Sequence, residues 1–103
     1  MEGEAGLGSA SLRGLQVYFR KVYFSRDSAR GAERTFLWFV SEVGEAADAL
    51  KDGDEHKLRA ELADVIAWLL SFCNVVGIDL QDAVVEKYGS GCPRCGSIPC
   101  SCD

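Results

Sequence analysis

Two runs of apolar residues set the architecture of this chain. Phe36, Val40, Val43, Ala47 and Leu50 are spaced 4, 3, 4 and 3, and Leu58, Leu62, Val65, Leu69, Phe72 and Val76 are spaced 4, 3, 4, 3 and 4. Those intervals recur on one face of an α-helix, whereas a strand alternates with a period of two. Between the runs, Lys51-Asp52-Gly53-Asp54-Glu55-His56 is a polar connector around one glycine. The spacing predicts helices over Ala32 to Leu50 and Lys57 to Val76, joined as an antiparallel hairpin. Upstream, Leu12, Leu15, Phe19, Val22 and Tyr23 predict an amphipathic helix from Leu12 to Arg26, with Ser25 to Gly31 as a polar loop. Downstream, Gly77 suits a helix C-terminus and Asp79 the N-cap of a short helix, Leu80 to Tyr88. Leu80, Val84 and Tyr88 are expected on its inner face and Gly89 at its end.

The expected fold is all-α, an antiparallel bundle of four helices. Residues 1–10 are read as a flexible lead-in, 11–89 as the helical domain and 90–103 as a Cys-rich tail. The second helix is apolar on several sides, because Trp38 and Ala49 lie on a second stripe with Leu37 and Phe39 between the two. Four short helices cannot cover it alone, so the bundle is expected to be completed by self-association. Gly44, Ala46 and Ala47 would admit close helix approach.

With 103 residues the chain is one domain with at most a short appendage. Sixteen acids against eleven bases give a net charge of -5, which argues against binding a nucleic-acid backbone. No apolar run reaches the ~18 residues needed to cross a bilayer. No basic stretch precedes an apolar one at the N-terminus, so a cytoplasmic setting is expected. There, five cysteines are expected to stay reduced, which favours metal over disulfides.

The chemistry lies in four acids. Glu42-Val43-Gly44-Glu45 and Glu61-Leu62-Ala63-Asp64 each hold two carboxylates three residues apart, neighbours on a helix surface. Glu45 and Glu61 each lie eight residues from Gly53, and Glu42 and Asp64 each lie eleven. A hairpin bending at Gly53 therefore brings all four to one height, roughly 12 to 17 Å from the turn. Facing carboxylates in an apolar layer repel and lose hydration, so they must take up protons or gather a cation. An oxygen-only donor set suits Mg²⁺, with Mn²⁺ as a substitute. In a chain this acidic, such spacing arises about once by chance; the apolar context and a tryptophan one turn from each pair add specificity. A solvated acidic face would place a base four residues after Glu45 or Asp64, where Ala49 and Trp68 stand instead. A di-iron bundle needs Glu-x-x-His pairs, and the single histidine, His56, lies in the connector.

The segments Trp38-Phe39-Val40-Ser41-Glu42-Val43-Gly44-Glu45, Glu61-Leu62-Ala63-Asp64-Val65, Asn74-Val75-Val76-Gly77-Ile78-Asp79-Leu80 and Glu86-Lys87-Tyr88 resemble the MazG-like nucleotide pyrophosphohydrolases. The resemblance covers roughly residues 12 to 88. It implies an all-α bundle and Mg²⁺-dependent hydrolysis of a nucleoside triphosphate, a dNTP or noncanonical NTP, to the monophosphate and pyrophosphate. It also implies a homodimer or homotetramer whose subunits complete each other's sites. Glu42, Glu45, Glu61 and Asp64 match the metal-binding acids, with Glu45 as the candidate base. Asn74 and Lys87 match residues near the phosphates. Trp38 and Trp68 either stack on a base or pack in the core.

In the tail, Cys92-Pro93-Arg94-Cys95-Gly96 is a zinc-knuckle-like turn, followed by Cys100-Ser101-Cys102. Four thiolates in a short Gly/Pro loop suit tetrahedral Zn²⁺, although the C-x-C half is tighter than the usual spacing. Cys73 is expected to be a small core residue. The competing function is a non-enzymatic helical adaptor or dimerisation module carrying a zinc tail, which has no use for four acids in an apolar layer.

Overall fold

The computed structural model describes residues 10–103. The lead-in expected at residues 1–10 lies outside them, apart from Ala10. Four helices follow one another: α1 (Leu12–Arg30), α2 (Ala32–Asp52), α3 (Glu55–Val76) and α4 (Leu80–Tyr88). No described residue forms a strand. The all-α expectation holds, and no single described helix is long and apolar enough to cross a membrane.

The predicted hairpin is the centre of the fold. Gly53 closes α2 in the left-handed conformation (φ 71°, ψ 23°), its amide reaching the Ala49 and Leu50 carbonyls. Asp54 then caps α3, its side chain accepting from the Lys57 amide. The connector shrinks to two residues, and His56 sits exposed in the first turn of α3. Gly77 caps α3 at φ 76°, and Asp79 caps α4 through the Asp82 amide.

The first helix differs from expectation. Ser25 to Arg30 continue α1, and the loop collapses to Gly31. These residues are polar but hold no helix breaker, and Asp27 and Arg30, three apart, pair along the helix at 2.8 Å. Gly31 (φ 91°, ψ 163°) turns the chain directly into α2. Thr35, fully buried, fixes the corner: its hydroxyl donates to the Gly31 carbonyl at 2.7 Å and accepts from Arg30 Nη1 at 3.3 Å.

The face that α2 buries also differs. Thr35, Glu42, Ala46 and Ala49 are buried, with Phe39 half-buried among them. The other stripe, Phe36, Val40, Val43 and Leu50, stays exposed, with Leu37 at 67%. Both stripes are apolar, and the small residues Ala46 and Ala49 let α3 approach. Gly44 serves no close approach within the chain, since nothing lies within 4 Å of where its Cβ would be. On α3, Leu70, Ser71, Cys73 and Asn74 are buried, as expected for Cys73, whereas Leu62 and Val76 are exposed. On α4, Val84 and Tyr88 face solvent and no residue is buried. This helix is held at its start instead. Gln16 of α1, buried, donates to the Ile78 carbonyl and accepts from the Leu80 amide, while Arg13 pairs with Asp79 and Asp82.

Candidate metal centre and adjoining cleft

Carboxylate oxygens of Glu42, Glu45 and Glu61 all lie within 4.8 Å of one another. The geometry follows from the hairpin: α2 supplies two acids three residues apart, and α3 crosses at the height where Glu61 points back. Glu42 is 8% exposed, Glu61 half-buried and Glu45 open to solvent. Asp64 stands outside the three but within electrostatic reach of Glu42. Burial, reinforced by Glu45 and Asp64 and then Glu61, pushes the Glu42 carboxyl above the ordinary carboxylate range. The donors are all oxygen, and their charge is unrelieved by any of the described ion pairs. That is the chemistry of a hard divalent cation, and the three residues fit one.

Beside the acids a cleft of about 260 Å³ opens between α1 and α3, lined among others by Tyr23, Arg26, Asp27, Arg30, Asp64 and Trp68. Asp64 is the shared wall. The cleft thus takes Asp64 from α3 and Arg26, Asp27 and Arg30 from α1, while Glu42, Glu45 and Glu61 lie outside its lining. Arg30 is held by Asp27, which is 2% exposed, and lies 4.7 Å from the centre of the Trp68 ring. Asp27 Oδ2 is buried without a hydrogen-bond partner. The polar composition of Ser25 to Gly31 suggests a loop and so conceals Asp27, Arg30 and the cleft. The opposite charges three residues apart, followed by glycine, were the available signal.

The remaining candidates are dispersed. Trp38 and Trp68 stack on each other, centroids 5.6 Å apart and planes 16° from parallel, so each uses one face on its partner. Trp38 is still half exposed. Asn74 is buried near the far end of α3, ten residues from Asp64, and its amide donates to the Gln16 carbonyl at 3.1 Å. It links α3 to α1. Lys87 is exposed on α4, its ammonium 5.8 Å from the Tyr88 ring centre.

The tail gathers Cys92, Cys95, Cys100 and Cys102, whose sulfurs all lie within 4.8 Å of one another. All are free thiols. The Ser101 amide, donating at 3.3 Å, is the chief cause that pulls Cys95 down to about 5. The Cys95 amide is the main cause lowering Cys92, while the Cys100 side chain is the main cause pushing Cys102 up to about 11.

The family model of the MazG nucleotide pyrophosphohydrolase domain matches residues 30–96, from the end of α1 through α4 and into the first half of the cysteine cluster. No curated protein matches the chain.

Proposed function

The chain belongs to the MazG nucleotide pyrophosphohydrolase domain family, and from that premise we propose that it hydrolyses nucleoside triphosphates to the monophosphate and pyrophosphate with Mg²⁺. The observation that carries this reading is the convergence of Glu42, Glu45 and Glu61, with Asp64 linking them electrostatically to a cleft that Arg26 and Arg30 also line. Glu42, Glu45 and Glu61 would hold the cation, with Asp64 completing the acidic wall. When bound, Mg²⁺ polarises phosphate oxygens and lowers the pKa of bound water.

The chain's own residues supply the rest. Glu45, the solvent-facing acid, uses the carboxylate oxygen that the cation does not engage to take a proton from the attacking water, whose oxygen bonds to the α-phosphorus as the α–β anhydride breaks. The pyrophosphate leaves with the bridging oxygen. Arg26 and Arg30 offset phosphate charge, and Arg30 is held in place by Asp27 and Thr35. Tyr23 gives the cleft an apolar wall suited to a base, whereas the faces of Trp68 are taken by Trp38 and Arg30.

The exposed apolar face of α2 supports a second part of the reading, that two or more copies assemble. Leu37, Val40, Val43 and Leu50 are each at least 45% exposed on this one helix, and large apolar side chains clustered in the open mark interaction surfaces. A screen of NTPs and dNTPs with pyrophosphate detection tests the reaction. At least one substrate is expected to give pyrophosphate and monophosphate in equal amounts, only with divalent metal. Release of orthophosphate alone, or no turnover of any nucleotide, would overturn the proposal.

A further inference from the structure

The cysteine cluster lies outside the nucleotide chemistry, and the geometry there supports a separate conclusion. We infer that residues 91–102 form a closed structural zinc site, to which Cys92, Cys95, Cys100 and Cys102 each contribute one thiolate. A Zn–S bond of about 2.3 Å in a regular tetrahedron requires sulfur–sulfur edges of about 3.8 Å. The sulfurs of Cys92 and Cys102 are 3.7 Å apart, those of Cys95 and Cys100 3.9 Å, and those of Cys92 and Cys100 3.6 Å. The other three separations lie within 4.8 Å and no disulfide joins any of the four, so one ion can meet all four sulfurs.

A second observation concerns what else holds this segment together. No residue from 90 to 103 is buried, and Ile98 is 83% exposed. The loop therefore has no apolar core of its own, yet its backbone is closely folded. The Cys92 amide donates to the Ser97 carbonyl and the Gly96 amide to the Cys92 carbonyl. A Cβ on Gly91 would lie 3.0 Å from both the Gly96 carbonyl oxygen and Ile98 Cγ1, so the two arms of the loop meet at their closest approach there. Such a fold needs another source of stability, and metal binding supplies folding free energy in small domains of this kind.

The backbone is also arranged around sulfur. The Ser101 amide donates to Cys95 Sγ and the Cys102 amide to Cys100 Sγ, each at 3.3 Å. These outer contacts orient thiolate ligands as they do in known metal sites. An all-sulfur donor set favours zinc over the hard cations that suit the carboxylates. Four protein ligands leave no open position for water or substrate, so the site is structural. It is thus chemically independent of Glu42, Glu45 and Glu61.

Elemental analysis of the purified full chain, kept reduced, tests this. About one zinc per chain is expected in the wild type and in C73S, whose cysteine is buried in α3 outside the cluster. C95S/C100S is expected to lose that zinc. Exchange with Co²⁺ on the wild type gives the intense visible bands of tetrahedral thiolate ligation, a readout that survives if the double variant fails to fold. Less than half an equivalent of zinc, iron in its place, a weak octahedral Co²⁺ spectrum, or zinc retained by C95S/C100S would overturn the assignment. Pyrophosphate release bears on none of these readouts, so this inference and the proposed reaction fail separately.

Discussion

Replacing Glu42 with glutamine isolates the electrostatic frustration at the centre of the account. Glu42 is 8% exposed and has carboxylate oxygens of Glu45 and Glu61 within 4.8 Å. Two like charges near that separation repel by about 1 kcal/mol in bulk water and about 4 kcal/mol at the effective dielectric near a protein surface. Glu45 is the strongest of these like-charge neighbours, with Asp64 and then Glu61 behind it, and the exposure of Glu45 and Asp64 keeps their repulsions in the lower part of that range. The substitution removes the repulsions of Glu42 with Glu45, Asp64 and Glu61 and the burial of a charge, but it leaves an amide to be hydrogen-bonded, which opposes the gain by ~1–2 kcal/mol. Without divalent metal, E42Q is expected to be more stable than the wild type by about 2 kcal/mol, or roughly 10 °C in a thermal scan. Mg²⁺ reverses the order: at about 100 times its Kd it stabilises the wild type by about 2.7 kcal/mol and E42Q far less.

The pH dependence has a definite sign. The folded protein holds the Glu42 proton more tightly than the unfolded chain does. Stability of the metal-free wild type therefore falls as pH rises from the ordinary carboxylate range through the raised value, and E42Q lacks that fall. Differential scanning fluorimetry with and without Mg²⁺, at acidic and neutral pH, reads all of this. An E42Q variant no more stable than the wild type in chelator, with an undiminished Mg²⁺ shift, would refute the reasoning.

Three further perturbations test the frame around the site. Gly31 adopts φ 91° and ψ 163°, a region almost closed to other residues, so G31A should cost about 1–3 kcal/mol in denaturant melts even though its Cβ meets no atom. R30A strands the buried Asp27 carboxylate and should cost about 2–4 kcal/mol, more than D27N, which removes the charge; equal losses would mean the pair carries no electrostatic role. V40E puts a charge on the exposed α2 strip and should shift the protein from an oligomer to a monomer by light scattering; a monomeric wild type would contradict that use of the face.

The extent to which the fold could be read from the sequence follows from where the signals were unambiguous. Gly53 and Gly77 supply the left-handed backbone that ends a helix, and Asp54 and Asp79 the side chains that start one, so the ends of α2 and α3 and the start of α4 lie close to their expected places. Three of the four acids, Glu42, Glu45 and Glu61, converge because their spacing from Gly53 is a geometric property of any antiparallel hairpin, and Asp64 stands outside them. The C-terminal turn of α1 was hidden because polarity alone suggested a loop, while a buried Asp27–Arg30 pair makes it a helix facing the cleft. The buried face of α2 was hidden for a different reason. Both of its stripes are apolar, and the choice depends on the small side chains of Ala46 and Ala49, which only the packed partner α3 reveals. Val84 and Tyr88 have no cover among the described residues, so periodicity on α4 identifies an apolar face without identifying what lies against it.

The central claim is that one divalent ion gathers Glu42, Glu45 and Glu61. Electron paramagnetic resonance titration with Mn²⁺ measures this without relying on turnover. The wild type should remove at least about one equivalent of free Mn²⁺ signal per chain at neutral pH, and E42Q and E61Q should bind it at least tenfold more weakly. A free-ion signal untouched by the wild type, or equally diminished by E61Q, would contradict the account.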